Sequence, residues 1–583
     1  MKRYIQQLLE EVFKKLQQSG QISALPNFEI TVPRESFGDF SVNAAHAIAR
    51  EGKFNPIQAG ELIAENLRIL DAASEAARNF AEIKVVNGFV NIFIGPVKLG
   101  QYVLALQKNL DIAQTGSGKK VVFEYSSPNT NKPLHIGHTR NDVYGMACIN
   151  LLRATGYDVI ATEIINDRGI HIMKSMLMYM KYGMPLTPQS EGVKPDHFVG
   201  KFYAMFGVES VESEEKKTQL EAEAQDLLRK WESGDSEVRA LWQTMNDWFY
   251  EGVKETYARE GSHFDAVEYE SSIYDKGRDL VLQGVEKGVF QKEEDGSVSV
   301  DLTDKGLDKK TLLRKDGTTI YITQDLYLWS LRNEKYHPDR AFVTTSSEQA
   351  YHFKVLKYLF ELLEFPWAET FEHLPYEHVY LGKSKMSSRA GNAVTADDLL
   401  VSVKERVRET MANSKKMKAS LDDQDLVTSI AFGAIKYGYL KYDRNTKIYF
   451  DLDETVAIEG NTGPYLQYTY ARIKSILSKV PSTPMISDPN LVFLVDKTEL
   501  AIMRHLVHYP EAIEAAAREF KPNLICSYLF ELSSKFNSFY DQVSVTNAES
   551  DELRNQRGEL LKSVANVLQH GLNLIGIKSV EEM

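Results

Sequence analysis

The stretch from Val121 to Ile165 constrains this chain more than any other. Val121-Val122-Phe123-Glu124-Tyr125 is a short, mostly apolar run of strand length. A polar loop containing prolines follows, then a helical pattern from about 138 to 154 that closes near Gly156, then a second strand-like run, Val159–Ile165. Strand, loop, helix and strand in that order is the signature of a parallel sheet with helical crossovers. The chain is therefore committed to an α/β architecture around this segment.

The rest of the sequence is arranged about that unit. Further strand-like pieces fall at 318–323, 341–345 and 376–381. Residues 205–255 are rich in Glu and Lys and read as helices, so an insertion splits the sheet. Upstream, Ile5, Leu8, Leu9, Val12, Phe13 and Leu16 have helical spacing, and a second helix fits 56–69. Two short strand patterns, Ile83–Val86 and Phe89–Ile94, flank the turn pair Asn87-Gly88. Thr115 to Lys120 reads as a linker. Beyond about 455 the patterns are helical, at 465–479, 497–519, 524–540 and 553–575. The expected division is an N-terminal α+β domain over 1–114, a Rossmann-type parallel-sheet domain over 115–395 with its insertion at about 183–262, a connecting segment over 396–454, and an all-α bundle over 455–583.

Composition narrows the setting. The chain carries 68 Lys+Arg and 81 Asp+Glu, a formal charge of −13, which argues against a protein that coats nucleic acid indiscriminately. Two cysteines, Cys148 and Cys526, can make neither a disulfide framework nor a cysteine-based metal site, and they point to a reducing cytoplasm. The first residues lack the apolar core and cleavage site of a secretory signal, and no run of about 18 apolar residues predicts a membrane span.

Two patterns carry chemistry. His135-Ile136-Gly137-His138 stands where the loop after the first strand becomes a helix. A helix start at the carboxyl edge of a parallel sheet favours phosphate, the glycine permits close approach of a base, and two imidazoles can hydrogen-bond triphosphate oxygens. Taken alone, the same residues also fit a pair of surface or capping histidines. No third or fourth ligand stands at metal-binding spacing, so no metal site is read. Lys385-Met386-Ser387-Ser388 lies in a glycine-flanked cationic loop after the 376–381 run, suited to hold a departing pyrophosphate, or else a basic surface loop.

Together, 247 residues apart and each at a strand end, these patterns resemble the class I aminoacyl-tRNA synthetases. The stretch Glu124 to His138 is similar to the arginyl-tRNA synthetase family in particular. So are Asn166-Asp167-Arg168-Gly169, Tyr321 to Asp325, Ser347-Glu348-Gln349 with His352-Phe353, the run Gly460 to Arg472, and the closing Gly571 to Gly576 with Met583. The resemblance implies ATP as substrate with Mg²⁺ held mainly by its phosphates, L-arginine and tRNA(Arg) as the other partners, and a monomer. It implies that His135, Gly137, His138, Lys385, Met386, Ser387 and Ser388 bind ATP. It puts Asp325 and Tyr321 with Glu124 about the guanidinium of arginine, and Asn129 and Gln349 with Ser127 and His138 about its α-amino end. It also implies that 1–114 binds the tRNA elbow, 396–454 the stem and 455–583 the anticodon, and that adenylate formation needs tRNA.

A guanidinium carries five donors and no acceptor, so a carboxylate-bearing pocket suits it. Glu124 in an apolar strand is a buried carboxylate in want of a partner, which a bound guanidinium would supply; an edge-strand Glu facing water is the alternative. The family has a second lysine in the loop where this chain has Ser388. Lys132, three residues before His135, is the candidate replacement, sharing with Lys385 the charge of the leaving pyrophosphate. For RNA, Tyr465 and Tyr468 are the candidates in the tail, although aromatics at helical spacing more often belong to a core. In the N-terminal region Asn87, Phe89 and Asn91 resemble an RNA-reading element, with a turn and strand as the plain alternative. A nucleotidylyltransferase sharing the histidine pattern, a catalytically silent RNA-binding relative, and a synthetase for another amino acid are the competing readings.

Overall fold

The computed structural model describes residues 1–51, 54–72, 79–381, 394–414, 422–480, 491 and 493–583. At its centre are five parallel strands in the order Phe371–His373, Arg340–Val343, Lys120–Glu124, Asp158–Ile165 and Ala266–Tyr269. The chain begins this sheet in the middle with Lys120–Glu124, works outward through 158–165 and 266–269, then returns to build the other side. The direction reverses between Lys120–Glu124 and Arg340–Val343, and a crevice opens at the carboxyl ends of strands placed this way. Val121, Val122 and Phe123 are fully buried, which explains the unbroken apolar run.

The helix that follows the first strand spans Ile136–Ala154 and is buried almost all round, from Thr139 through Ile149. A helix enclosed on every side has little amphipathic period. Arg140, Asn141 and Asp142 are buried with it.

Several sequence expectations need correction. Residues 318–323 form no strand: Tyr321 starts the helix Tyr321–Tyr336, because Leu326, Leu328, Trp329 and Arg332 bury at helical spacing and override the β-branched residues upstream. The 376–381 run yields only Val379–Leu381, which pairs with Ile448–Phe450 in a separate two-stranded sheet. The helix expected over 497–519 is two, Lys497–Val507 and Tyr509–Glu519, broken at His508 two residues ahead of Pro510. A small antiparallel sheet formed by Gln291–Lys292, Val298–Val300 and Lys310–Leu313 was not expected.

The insertion is built of Pro195–Ser210, Glu214–Ser233 and Ser236–Glu260 around its own core, including Phe198, Phe202 and Trp231. At the N-terminus, helices Lys2–Gln18 and Pro56–Ala72 accompany a four-stranded antiparallel sheet. Its hairpin, Phe80–Val86 with Phe89–Ile94, turns through Asn87 at φ 51° and Gly88 at φ 82°, the left-handed pair that a two-residue hairpin loop demands.

The helix Gln424–Leu440 crosses Gly463–Leu477 at Gly433 and Gly463, where a Cβ on Gly463 would fall 2.1 Å from the Gly433 carbonyl oxygen. The N-terminal region is tied directly to the tail. Ser563 Oγ donates to Val103 O at 3.0 Å, Asn566 Nδ2 to Leu106 O at 2.9 Å, and Arg504 lies 3.3 Å from the Asp39 carboxylate. Among the described residues no helix is long and apolar enough to cross a membrane.

Candidate active site

His135 is the N-cap of the buried helix, and the fold uses both histidines to close that helix start. The Gly137 amide donates to His135 Nδ1 at 3.1 Å, and the His135 amide donates to His138 Nδ1 at 3.1 Å. Both Nδ1 atoms are therefore acceptors. Burial holds both rings neutral, pushing His135 down to about 4 and His138 well below its usual value, with Lys132 adding to the effect on each. A neutral imidazole that accepts at Nδ1 carries its proton at Nε2. The pair, with ring centroids 3.9 Å apart, thus offers two uncharged N–H donors beside a helix N-terminus.

The expected second element, Lys385, Met386, Ser387 and Ser388, lies outside the described residues, but both of its flanks are defined. On the far side, the Ile136 amide donates to Val394 O at 3.1 Å and the Ala396 amide to Leu134 O at 2.9 Å, so the chain returns against the histidine loop. On the near side, Arg140 NH2 donates to the carbonyls of Arg444 at 3.1 Å and Thr446 at 3.0 Å, and NH1 to that of His378 at 3.3 Å and to that of Glu377. One side chain of the histidine helix thereby holds the approach to Val379–Leu381 and the loop before its partner strand. The far flank has a grip of its own. The Asp397 carboxylate takes Lys194 and His197, each at 2.8 Å, and Arg259 at 3.1 Å, all three from the insertion. These contacts hold Asp397 far below the usual carboxylate range and raise His197. Asp196, His197 and Asp397 have metal-like spacing, but the Lys194 ammonium already occupies that place, 3.2 Å from Asp196.

The residues expected around arginine gather at the carboxyl edge of the two strands flanking the reversal. After Glu124 the chain turns through Ser126 at φ 65° and Ser127 at φ 57°, both left-handed and strained for residues other than glycine. Ser127 Oγ donates to Glu124 at 3.1 Å and accepts from the Ile164 amide at 3.2 Å. Asn129, exposed, bridges to Asn166 beside it. Across the crevice, Tyr321 is 71% exposed, Asp325 pairs with His352 at 2.6 Å, and Gln349 is exposed at the end of the turn Ser347–Gln349.

The Glu124 carboxylate is buried as expected, but its guanidinium partner is in the chain itself: Arg332 bridges Glu124 and, at 2.9 Å, Glu268. Burial pushes Glu124 up and Arg332 pulls it down, while the two carboxylates keep Arg332 charged. Sequence reasoning missed Arg332, although it stands seven residues after Asp325, two turns along the same helix. It also missed Glu270, a buried carboxyl that desolvation raises to about 7 and that senses Arg168, Asp167 and Asp325.

Of the residues expected to meet RNA, Asn87 is exposed and Phe89 is 42% exposed, its ring edge-on to His46. Asn91, at the middle of a strand paired on both sides, is 3% exposed. Tyr465 and Tyr468 are half-buried. Tyr465 OH accepts from Asn537 at 2.8 Å, Tyr468 OH accepts from Arg472 at 2.9 Å, and the Arg472 guanidinium lies 4.8 Å from both the Tyr468 and Tyr540 rings.

A parallel sheet that reverses beside a histidine-capped helix, interrupted by a helical insertion and followed by a helical tail, defines a class I aminoacyl-tRNA synthetase. The family profile described as "tRNA synthetases class I (R), catalytic domain" matches residues 101–452. Those for the "Arginyl tRNA synthetase N terminal domain" and the "DALR anticodon binding domain" match 2–94 and 466–583. An arginine–tRNA ligase of Parabacteroides distasonis is 38% identical over 92% of each chain, and one of Treponema denticola is 39% identical over 95% of this chain and 94% of its own. The solved arginyl-tRNA synthetases of Thermus thermophilus and Plasmodium falciparum share the fold at TM-scores of 0.82 and 0.76 and identities of 22% and 18%, covering this chain in full and 100% and 99% of theirs. The chain belongs to the arginyl-tRNA synthetase family.

Proposed function

We infer that the chain is an arginine–tRNA ligase that works in two steps. The L-arginine carboxylate attacks the α-phosphorus of ATP in line, giving arginyl-adenylate and pyrophosphate. The terminal ribose hydroxyl of tRNA(Arg) then attacks the aminoacyl carbonyl and releases AMP. No protein side chain need become covalently attached; positioning and electrostatics supply the rate.

The observation that carries this reading is the tautomer-fixed histidine pair. Its Nε2–H groups and the helix N-terminus offer donors to the triphosphate without bringing a charge that must be neutralised when ATP leaves. His135, Gly137 and His138 bind ATP, with Lys385, Met386, Ser387 and Ser388 closing over the phosphates. Lys132, half-buried and pushed down by burial, shares the pyrophosphate charge with Lys385. Glu124, Ser127, Asn129, His138, Tyr321, Asp325 and Gln349 surround arginine, with Asp325 taking the guanidinium and Arg332 holding Glu124 in place. Mg²⁺ travels with ATP and is held by its phosphates: among the described residues around the cavity beside His135 and Lys132, the one carboxylate is Glu221.

Asn87 and Phe89 face the tRNA elbow, 396–454 its stem, and Tyr465 and Tyr468 the anticodon region. The protein acts as a cytoplasmic monomer. Charging of total tRNA with each labelled amino acid tests the reading; arginine alone should be attached, and charging with any other amino acid instead would overturn it. Lys132→Ala should slow pyrophosphate exchange, and an unchanged rate removes Lys132 from its role.

A further inference from the structure

A cavity of about 540 Å³ lies between the histidine loop and the insertion. Lys132 and His135 line it from the histidine loop, Lys174 from the helix Ile170–Met178, and Lys201 and His197 from Pro195–Ser210. Two of these cations have partners: Lys201 pairs with Glu191 at 2.8 Å, and His197 with Asp397. The other two do not. Among the described residues no carboxylate lies within ion-pair reach of Lys132 or Lys174, and both are half-buried. Lys174 is held with its ammonium 4.7 Å from the Phe206 ring, which fixes its direction without neutralising it. His171 feels both lysines, so their charges converge on one region. Half-buried cations without partners are costly unless an anion arrives. Two unpaired cations lining one cavity suit a compact, multiply charged anion better than a single phosphodiester.

We propose that Lys174 is a catalytic residue that, together with Lys132, grips the pyrophosphate end of ATP in this cavity and stands in for the loop cation missing at Ser388. As the arginine carboxylate oxygen bonds to the α-phosphorus, the bond from that phosphorus to the bridging oxygen breaks, and its electron pair stays on the departing pyrophosphate. Lys174 Nζ donates to an oxygen of that group as its charge grows, with no proton transferred. The lone charge of a mostly apolar run, Ile-Met-Lys-Ser-Met-Leu, thereby acquires a use.

The inference rests on the proposed role of Lys132, and the experiment separates the two. ATP–pyrophosphate exchange is measured on the full chain with tRNA present, for Lys174→Met, Lys174→Arg and Lys132→Ala. Lys174→Met should raise the KM for pyrophosphate about tenfold, leave the KM values for arginine and tRNA within twofold, and be largely rescued by Lys174→Arg. Thermal unfolding alongside establishes that each variant is folded, and Lys174→Arg keeps the test decisive if the Met variant is not. A rise in the KM for tRNA alone would assign the cavity to acceptor-strand phosphates and overturn the proposal. No change in any constant would leave Lys174 a solvated lysine and also overturn it. Slowed exchange in Lys132→Ala with a silent Lys174→Met defeats only this inference; silence in both defeats the shared-charge reading beneath it.

Discussion

Replacing Arg140 with methionine keeps much of the buried aliphatic stem and deletes the donors. Arg140 is 3% exposed, and its four acceptors are all backbone carbonyls, two at 3.0 and 3.1 Å, one at 3.3 Å and one closer. A bond from a charged donor nets about 1.5–3 kcal/mol. The two well-formed bonds alone give about 3 kcal/mol; adding the weaker contacts, and allowing water to reach some carbonyls in the variant, suggests about 4 kcal/mol. Much of that loss should be local, freeing 377–381 and 443–450 while the main sheet stays folded. Residues 382–393 follow directly, so Lys385 loses its fixed approach. A displacement of about 1 Å at a reacting group costs about 10²-fold. The kcat of tRNA-supported ATP–pyrophosphate exchange should therefore fall about a hundredfold with the KM for arginine nearly constant, and amide exchange should quicken at 377–381 and 444–450. Lys at 140 keeps the charge but not the fork, and should recover only part of the activity. Exchange within twofold of wild type, with those amides still protected, would refute the chain of reasoning from Arg140 to the loop.

Four other outcomes follow from particular contacts. Gly463→Ala places a methyl 2.1 Å from a backbone oxygen with no flexible side chain to yield, so a loss of about 3 kcal/mol or more is expected in urea unfolding. Asp397→Asn leaves three insertion cations facing a neutral group and should cost about 2–3 kcal/mol near pH 6. Because His197 is raised above its unfolded value, its share of that loss is present below pH 6.5 and disappears as pH rises through the folded value, so the gap between wild type and variant should narrow on the alkaline side. His508 is buried and pushed down to about 3; the unfolded chain binds its proton from about pH 6.5 downward while the folded chain does not, so His508→Phe should gain on wild type by about 1.4 kcal/mol per pH unit between 6 and 4. Phe89→Ala should weaken tRNA binding severalfold in a filter-binding assay, whereas Asn91→Ala, if folded, should act only through stability.

The legibility of the sequence followed the range of the interactions. Lys120–Glu124 and Asp158–Ile165 were readable because strands buried on both faces spell continuous apolar runs. Ala266–Tyr269 and Phe371–His373 were not, being short and at the sheet's edges, where burial leaves little pattern. The hairpin at Asn87-Gly88 announced itself through local turn chemistry, and the broken helix at His508 could have been read from Pro510. At the site, the family resemblance pointed to Glu124, Ser127, Asp325 and Gln349; of these, Ser127 donates to Glu124 and the charge of Asp325 reaches it. Arg140 and Arg332 stayed hidden because their partners are backbone carbonyls or carboxylates 64 and 208 residues away in sequence, which no local side-chain pattern encodes. The low exposure of Asn91 was not legible because the alternation along a strand does not reveal that it is paired on both sides. Lys174 was findable, as one charge in an apolar stretch.

The ties between Val103, Leu106 and Asp39 near one end of the chain and Ser563, Asn566 and Arg504 near the other have a consequence for scale. On the proposed assignment of elbow and anticodon to those two regions, the jaws that would span the RNA are bolted to each other. Such an arrangement works as a caliper set to one opening: a tRNA with the right bases but a lengthened or shortened anticodon arm would touch at one jaw and miss at the other. Loosening the bolts, for instance with Ser563→Ala and Asn566→Ala together, should broaden the range of arm lengths that are charged rather than change which bases are preferred.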